Sequence, residues 1–303
     1  MTGEGRENIP VLARPLFVWL RAVESVVRTA TRDSKLMEYR RITTVVAVVV
    51  MVAMTMAASG AMAEGEPVYP QDESMNYVVE YGPASLADLA LDIDCVGDDE
   101  VTARLWAESQ GMAQRIHPFR VRLDTETTFG SSGAVRAQTW IEEKGEARRY
   151  RSRFNDAPRV ATHADIFGET SRDVAALPEQ GHDLLSWILE LRRLVAADGA
   201  RQDRRRYPLW DGWKLVWLDV IPGDIDVRET AEGDLRVQAF DLRRTRLHHE
   251  GDELFEPKAD PESLGTIWIE VGPRALPVAM AFEAPIGEVH IELTNYEADG
   301  CDV

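Results

Sequence analysis

From Met75 to Tyr296 an alternation of apolar and polar residues with a period of two dominates the chain, and one segment instead has a period near 3.6. Leu89, Leu91 and Ile93 alternate with Asp88, Asp92 and Asp94. Val101, Ala103, Leu105 and Ala107 alternate with Thr102, Arg104, Trp106 and Glu108, and Phe119, Val121 and Leu123 with Arg120, Arg122 and Asp124. This is the pattern of antiparallel strands with one dry and one wet face. AVRAQTWIEE and EARRYRSRFN read as a hairpin whose Gly145 supplies the permissive turn position. Asn155 to Glu179 carries little pattern. After the aperiodic basic run DGARQDRRR, the segments WKLVWLDV, IDVRETA, LRVQAFDLRR, TIWIEV, PVAMAFEA and GEVHIELTNYE resume the alternation. The expectation is about eleven strands.

The exception is GHDLLSWILELRRLVAADG, Gly181 to Gly199. Leu184, Leu185, Ile188, Leu191, Leu194 and Val195 recur at helical spacing, widened by Trp187 and Leu189. Asp183 is a suitable N-cap and Gly199 a suitable stop. Glu190, Arg192 and Arg193 supply the polar side. A helix this apolar must lie on the dry face of the sheet. The expected fold is mainly β: a large curled antiparallel sheet, or a partial or closed β-barrel, with one main helix packed on it.

The first 63 residues follow other rules. From Met37, Arg40 and Arg41 precede an uncharged run, Ile42 to Ala58, and Ala61-Met62-Ala63 is a small-x-small triplet before Glu64. That is the layout of a secretory signal peptide cleaved between Ala63 and Glu64. The apolar run approaches membrane-spanning length, but the cleavage triplet argues against an anchor and for no membrane span after processing. Residues 1–36 read as an upstream extension, with Met37 the true start; residues 64–74 as a loose lead-in; residues 75–303 as one β-rich domain. The exported portion carries 26 Lys and Arg against 47 Asp and Glu, a net charge of −21. It repels phosphate backbones, so nucleic-acid binding is excluded as a function, and anionic membranes are unfavourable partners unless the charge is segregated. Cys95 and Cys301 both lie in the exported part. An oxidising compartment allows them to pair, and two unpaired thiols are the alternative.

Candidate chemistry is sparse. GSSGA (130–134) misses the G-x-S-x-G nucleophile elbow and sits between strands. DIDCVGDDE (92–100) has Val96 and Ala103 where a calcium loop needs oxygens. LHHEGDE (247–253) is a Gly-containing loop without a further fixed ligand. No metal or cofactor is expected. The Arg201–Tyr207 run RQDRRRY is basic within an acidic protein and reads as a solvated loop or a site for an anionic headgroup or partner. His182 and Asp183 open the helix, where neighbours cap more often than they catalyse. Trp187, Trp213, Trp217 and Trp268, with Ile188, are the candidate lining of an apolar ligand pocket, or ordinary core.

YVVEYG near the start, HDLLSWILELRR in the middle and GTIWIEVGPRALPVAMAFEAPIGEVHIEL at the end resemble an exported bacterial family known only as domain-of-unknown-function family 3108. The matching residues are Asp183, Leu185, Ser186 and Arg192 in the helix, Trp268, Leu276-Pro277-Val278, and Ile286-Gly287-Glu288-Val289. The likeness spans about Tyr77 to Tyr296. EYGPASLAD departs from the Gly-rich turn of that pattern, and His182 is not part of it. The resemblance implies a β-rich protein of the cell envelope and carries over no catalytic residue. The expected function is that of a non-catalytic periplasmic protein that binds an apolar, lipid-like molecule or maintains the envelope. The alternative is a protein-interaction component of an envelope assembly with no ligand, and a hydrolase ranks last.

Overall fold

The structure is a computed structural model and describes residues 71–96, 100–116, 118–128, 135–143, 146–154, 161–165, 170–174, 181–199, 203–210, 215–247, 260–284 and 287–300. The signal segment, the Ala63–Glu64 junction, GSSGA, most of LHHEGDE, Trp213 and Cys301 lie outside them.

Strands β1 (Gln71–Tyr81), β2 (Ala84–Cys95) and β3 (Glu100–Ser109) are followed by a short helix, α1 (Gly111–Ile116). Then come β4 (Phe119–Thr128), β5 (Val135–Glu143), β6 (Glu146–Phe154), β7 (Ala161–Asp165) and β8 (Thr170–Val174). The main helix is α2 (Leu184–Asp198), followed by β9 (Arg205–Trp210), β10 (Leu215–Thr230) and β11 (Gly233–Arg246). β12 (Glu262–Glu270), β13 (Pro277–Ala284) and β14 (Gly287–Gly300) complete the chain. β1 takes in the last four residues of the expected lead-in, 71–74. β7 and β8 arise in the patternless connection, and β9 in the basic run. WKLVWLDV and IDVRETA are one strand, β10, whose pairing with β11 shifts register between Pro222 and Ile225.

All fourteen strands belong to one antiparallel sheet, ordered β8-β7-β6-β5-β4-β3-β2-β1-β14-β13-β12-β11-β10-β9. It is a meander cut open: β1 and β14 pair over nearly their whole length, Gln71 opposite Gly300 through Tyr81 opposite Val289. The edges are β8 and β9, and the sheet is not closed. α2 joins these two edge strands in sequence.

The sheet must curl, and two adjacent residues show why. Asp183 accepts a hydrogen bond from Thr125 of β4, while the His182 amide donates to the Pro208 carbonyl of β9 at 3.3 Å. β4 and β9 are nine strand intervals apart in the sheet order, about 43 Å if the sheet were flat at roughly 4.8 Å per strand. Neighbouring residues cannot touch both unless the sheet wraps around them.

The inward face is the apolar set of the alternation: Met75, Tyr77 and Val79 of β1, Leu91 and Ile93 of β2, Val121 and Leu123 of β4, Phe240 and Leu242 of β11, Ile267 and Ile269 of β12, and Ile291 of β14, all buried. α2 lies among them. Leu184 through Val195, twelve consecutive residues, are all buried. This corrects the expectation of a polar side: Glu190, Arg192 and Arg193 are buried as well. A helix surrounded on every side has no wet face, so its charged residues are kept inside by pairing rather than by solvent.

Candidate functional site

The interior around α2 is where the expected pocket should lie, and it is held by a line of buried polar contacts. At the amino end, Asp183 caps the helix. Its carboxylate accepts from the Ser186 amide at 2.9 Å and the Ser186 hydroxyl at 2.7 Å, while the Asp183 amide donates back to that hydroxyl at 3.1 Å. This is a capping box with serine in the third position. The other carboxylate oxygen takes the Thr125 hydroxyl at 2.5 Å, fastening the helix start to β4. Burial pushes the Asp183 carboxyl up from its ordinary range, against the hydrogen bonds from Ser186 and Thr125. His182 precedes the cap. The residue is half-buried, but both ring nitrogens are shielded from water and meet no protein partner among the described residues. Burial lowers its pKa to about 3, so the ring is neutral. His182 and Asp183 are therefore a shielded neutral ring beside a cap. Ser186, the nearby hydroxyl, is 0% exposed and spent on that cap.

Toward the carboxyl end, Arg192 reaches through the core. Its guanidinium lies 2.6 Å from the Glu73 carboxylate of β1 and donates to the carbonyls of Ala275 at 3.2 Å and Arg274 at 2.8 Å. Those carbonyls belong to the turn between β12 and β13. Ala275 holds φ at +45°, a conformation few non-glycine residues adopt. Both partners of the pair are almost fully buried, so each offsets the other's loss of solvation. Tyr77 stands nearby, its phenol raised above the ordinary range by burial, with Arg192 acting in the opposite sense. On either side of Arg192 in sequence, Glu190 and Arg193 form a buried two-pronged pair with both contacts at 2.6 Å.

Of the tryptophans expected to line one pocket, the described ones, Trp187, Trp217 and Trp268, are not brought together. Trp187 and Ile188 are 0% and 2% exposed inside the core. Trp268 falls between Ile267 and Ile269, whose side chains are inward, so its indole lies on the other face of β12, beneath the Arg228 guanidinium at 4.6 Å. Trp217 falls between Val216 and Leu218 and likewise faces outward. The Trp187 indole nitrogen is buried without a protein acceptor among the described residues. Among those residues no group of His, Cys, Asp and Glu is arranged to hold a metal. Cys95 carries no free thiol.

Outside the sheet, Asp219 of β10 gathers arginines. Arg206 of β9 donates to both carboxylate oxygens, at 2.9 and 3.0 Å, and Arg204 reaches the same carboxylate at 3.0 Å. Burial would raise the Asp219 carboxyl, but the hydrogen bonds from Arg206 and Arg204 outweigh it and hold the group below the ordinary carboxylate range. Asp219 also faces Arg243 of β11 directly across the ladder.

Sequence reasoning missed Glu73 and Thr125. The signal was present: Glu73 shares the alternation of Met75, Tyr77 and Val79, and Arg192 sits four residues after Ile188 and three before Val195, on the apolar stripe.

No helix among the described residues is long and apolar enough to cross a membrane. No family model matches the sequence, so the likeness to family 3108 stays a resemblance of motifs. No curated protein matches either. Among solved structures, a protein of Bacteroides fragilis with a YmcC-like fold, inferred to be exported, covers 74% of this chain and 95% of its own at 7% identity, with a TM-score of 0.28, too loose to bear on the fold. A β-barrel-like protein of domain-of-unknown-function family 1849 from Brucella abortus covers 78% of this chain and 100% of its own at 11% identity, with a TM-score of 0.51. The chain thus shares a β-barrel-like architecture with an uncharacterised protein, at an identity that conveys the fold alone.

Proposed function

We propose that this protein is an exported, non-catalytic component of the bacterial cell envelope that works through its outer surface, its interior being filled by its own helix. The carrying observation is the unbroken burial of Leu184 through Val195, with Trp187 and Ile188 packed in the core. A binding protein for lipids needs a concavity, and here the protein's own side chains occupy it. The signal layout ahead of Glu64 supports export into the periplasm. The same reading takes Cys95 and Cys301 as an oxidised pair. The ladders support it: Gln71 faces Gly300 on one side, and the Glu73–Ile93 register brings Cys95 beside Gln71 on the other.

One observation favours the reading in which the interior takes a small apolar molecule with a polar end. The ring nitrogens of His182 and the indole nitrogen of Trp187 are buried without protein partners among the described residues, and the two residues occupy the positions flanking the cap that pack together in a hydrophobic staple. Native mass spectrometry of the protein purified from periplasm, with organic extraction and a fluorescent fatty-acid titration, separates the two. The self-filled reading expects no co-purifying lipid and no saturable probe binding. A stoichiometric lipid would replace it with the ligand reading. A pull-down that recovers an envelope protein, and loses it when outer-face arginines are reversed in charge, is the positive test.

A further inference from the structure

We infer that the outer face of β9, β10 and β11 carries a binding site for a phosphate-type anion, formed by Arg204, Arg206, Arg243 and Thr245 around Asp219. The ladders place Arg206, Asp219 and Arg243 side by side on three consecutive strands, with Trp217 and Thr245 facing each other in the next row of the same face. At roughly 4.8 Å between strands, the outer two arginines start about 10 Å apart, within reach of one ligand between their long side chains.

Three features make this more than a neutralised carboxylate. First, the charges do not balance. Arg204 and Arg206 share the single Asp219 carboxylate, and Arg243 is exposed and makes no ion pair or hydrogen bond among the described residues. Asp241 lies on the same face two residues before Arg243, but its carboxylate takes the Thr266 hydroxyl at 2.9 Å. A surplus of guanidinium, three groups against the carboxylates of Asp219 and Asp241, therefore stands on this face of a chain whose net charge is −18. Second, Asp219 is 1% exposed, and its two arginine donors keep it ionised in spite of that burial. It acts as an internal counter-charge that sets the direction of Arg204 and Arg206 without spending all their donors. Third, the Thr245 hydroxyl, on a residue only 4% exposed, has no hydrogen-bond partner among the described residues. A buried hydroxyl left open beside unspent guanidinium groups calls for an acceptor with several oxygens. Phosphate suits this donor set: arginine forks bind its oxygens in pairs, and a tetrahedral group has further oxygens for Arg243 and Thr245. The group can come from free phosphate or from a phospholipid headgroup, and Trp217 beside the arginines is the residue type that sits at headgroup level.

The test titrates the purified chain at low ionic strength with inorganic phosphate, followed by phosphorus NMR, and separately with phosphatidylglycerol and phosphatidylcholine vesicles by co-sedimentation. Saturable phosphate binding is expected. Arg243→Ala, which removes an unpaired surface side chain and leaves folding intact, weakens it at least tenfold. Thr245→Val weakens it several-fold while Tm stays equal or rises, because the unsatisfied hydroxyl is gone. Arg122→Ala, an exposed arginine on β4 far round the sheet, leaves binding unchanged. Sedimentation with phosphatidylglycerol but not phosphatidylcholine, lost in Arg243→Ala, supports the site with a headgroup as its source. Phosphate binding with no vesicle binding supports it with free phosphate. Binding that is absent, that persists undiminished in Arg243→Ala, or that falls equally in Arg122→Ala overturns the site.

Discussion

At the scale of single residues, two side chains carry consequences that can be measured. Arg192 and Glu73 are a buried pair closed by two turn carbonyls, and removing one partner leaves the other charged in the core. Arg192→Met should cost about 3–5 kcal/mol in urea unfolding. The double variant Arg192→Met with Glu73→Met should recover most of that loss, because two apolar side chains leave no orphan charge. Simple additivity of the two single losses would show that the residues do not act as a pair. His182 titrates the fold. Its pKa falls from 6.5 unfolded to about 3 folded, so the folded state resists protonation. Stability is full above about pH 6.5 and falls as pH drops toward about 3, by roughly 1.4 kcal/mol per pH unit. Asp183 acts in the opposite sense, since its raised pKa makes the folded state bind a proton more readily than the unfolded chain. His182→Phe removes the histidine contribution and should flatten the acid limb of Tm against pH. An unchanged limb would mean that the ring is accessible to water.

At the scale of elements, α2 was legible in outline and misleading in surroundings. Its cap at Asp183, its length and its stop at Gly199 follow from local chemistry, because capping and backbone conformation are decided within a few residues. Its environment is decided by strands as far away as β1 and β9, and a helix wheel cannot tell a polar side facing water from one facing buried partners. Arg192 is the case in point: its spacing matched the apolar stripe, but charge suggested solvent. β7 and β8 were missed because ladder pairing, not alternation, makes them strands. The aromatic residues were grouped by type, although Trp217 and Trp268 have inward-facing neighbours on both sides and so must point outward. Trp187→Ala, which empties an indole-sized volume inside the helix packing, should cost about 3–5 kcal/mol. A loss below about 1 kcal/mol would indicate an unfilled interior. At the other end of the domain, peptide mapping without reductant should recover Cys95 and Cys301 in one linked peptide; two free, alkylatable thiols would refute the pair.

At the scale of the molecule, the meander is closed on itself at β1 and β14 and left open between β8 and β9. The helix that joins the open edges also fills the space they enclose. Among the described residues this arrangement explains how so many strands pack around one substantial helix: α2 supplies from within the apolar surface that a second sheet supplies in a sandwich. Open edges ordinarily invite pairing with other chains, and the parallel bridge between His182 and Leu209 takes up part of the β9 edge. Whether α2 is a permanent core or a movable plug is the central question, and native-state hydrogen exchange answers it most directly. A permanent core predicts that the amides of Leu189 through Val195 exchange only through global unfolding, with protection equal to that of β1 and β14. Exchange of those amides at a free energy well below that of β1 and β14 would show the helix leaving the sheet while the sheet stays folded, and would contradict the account.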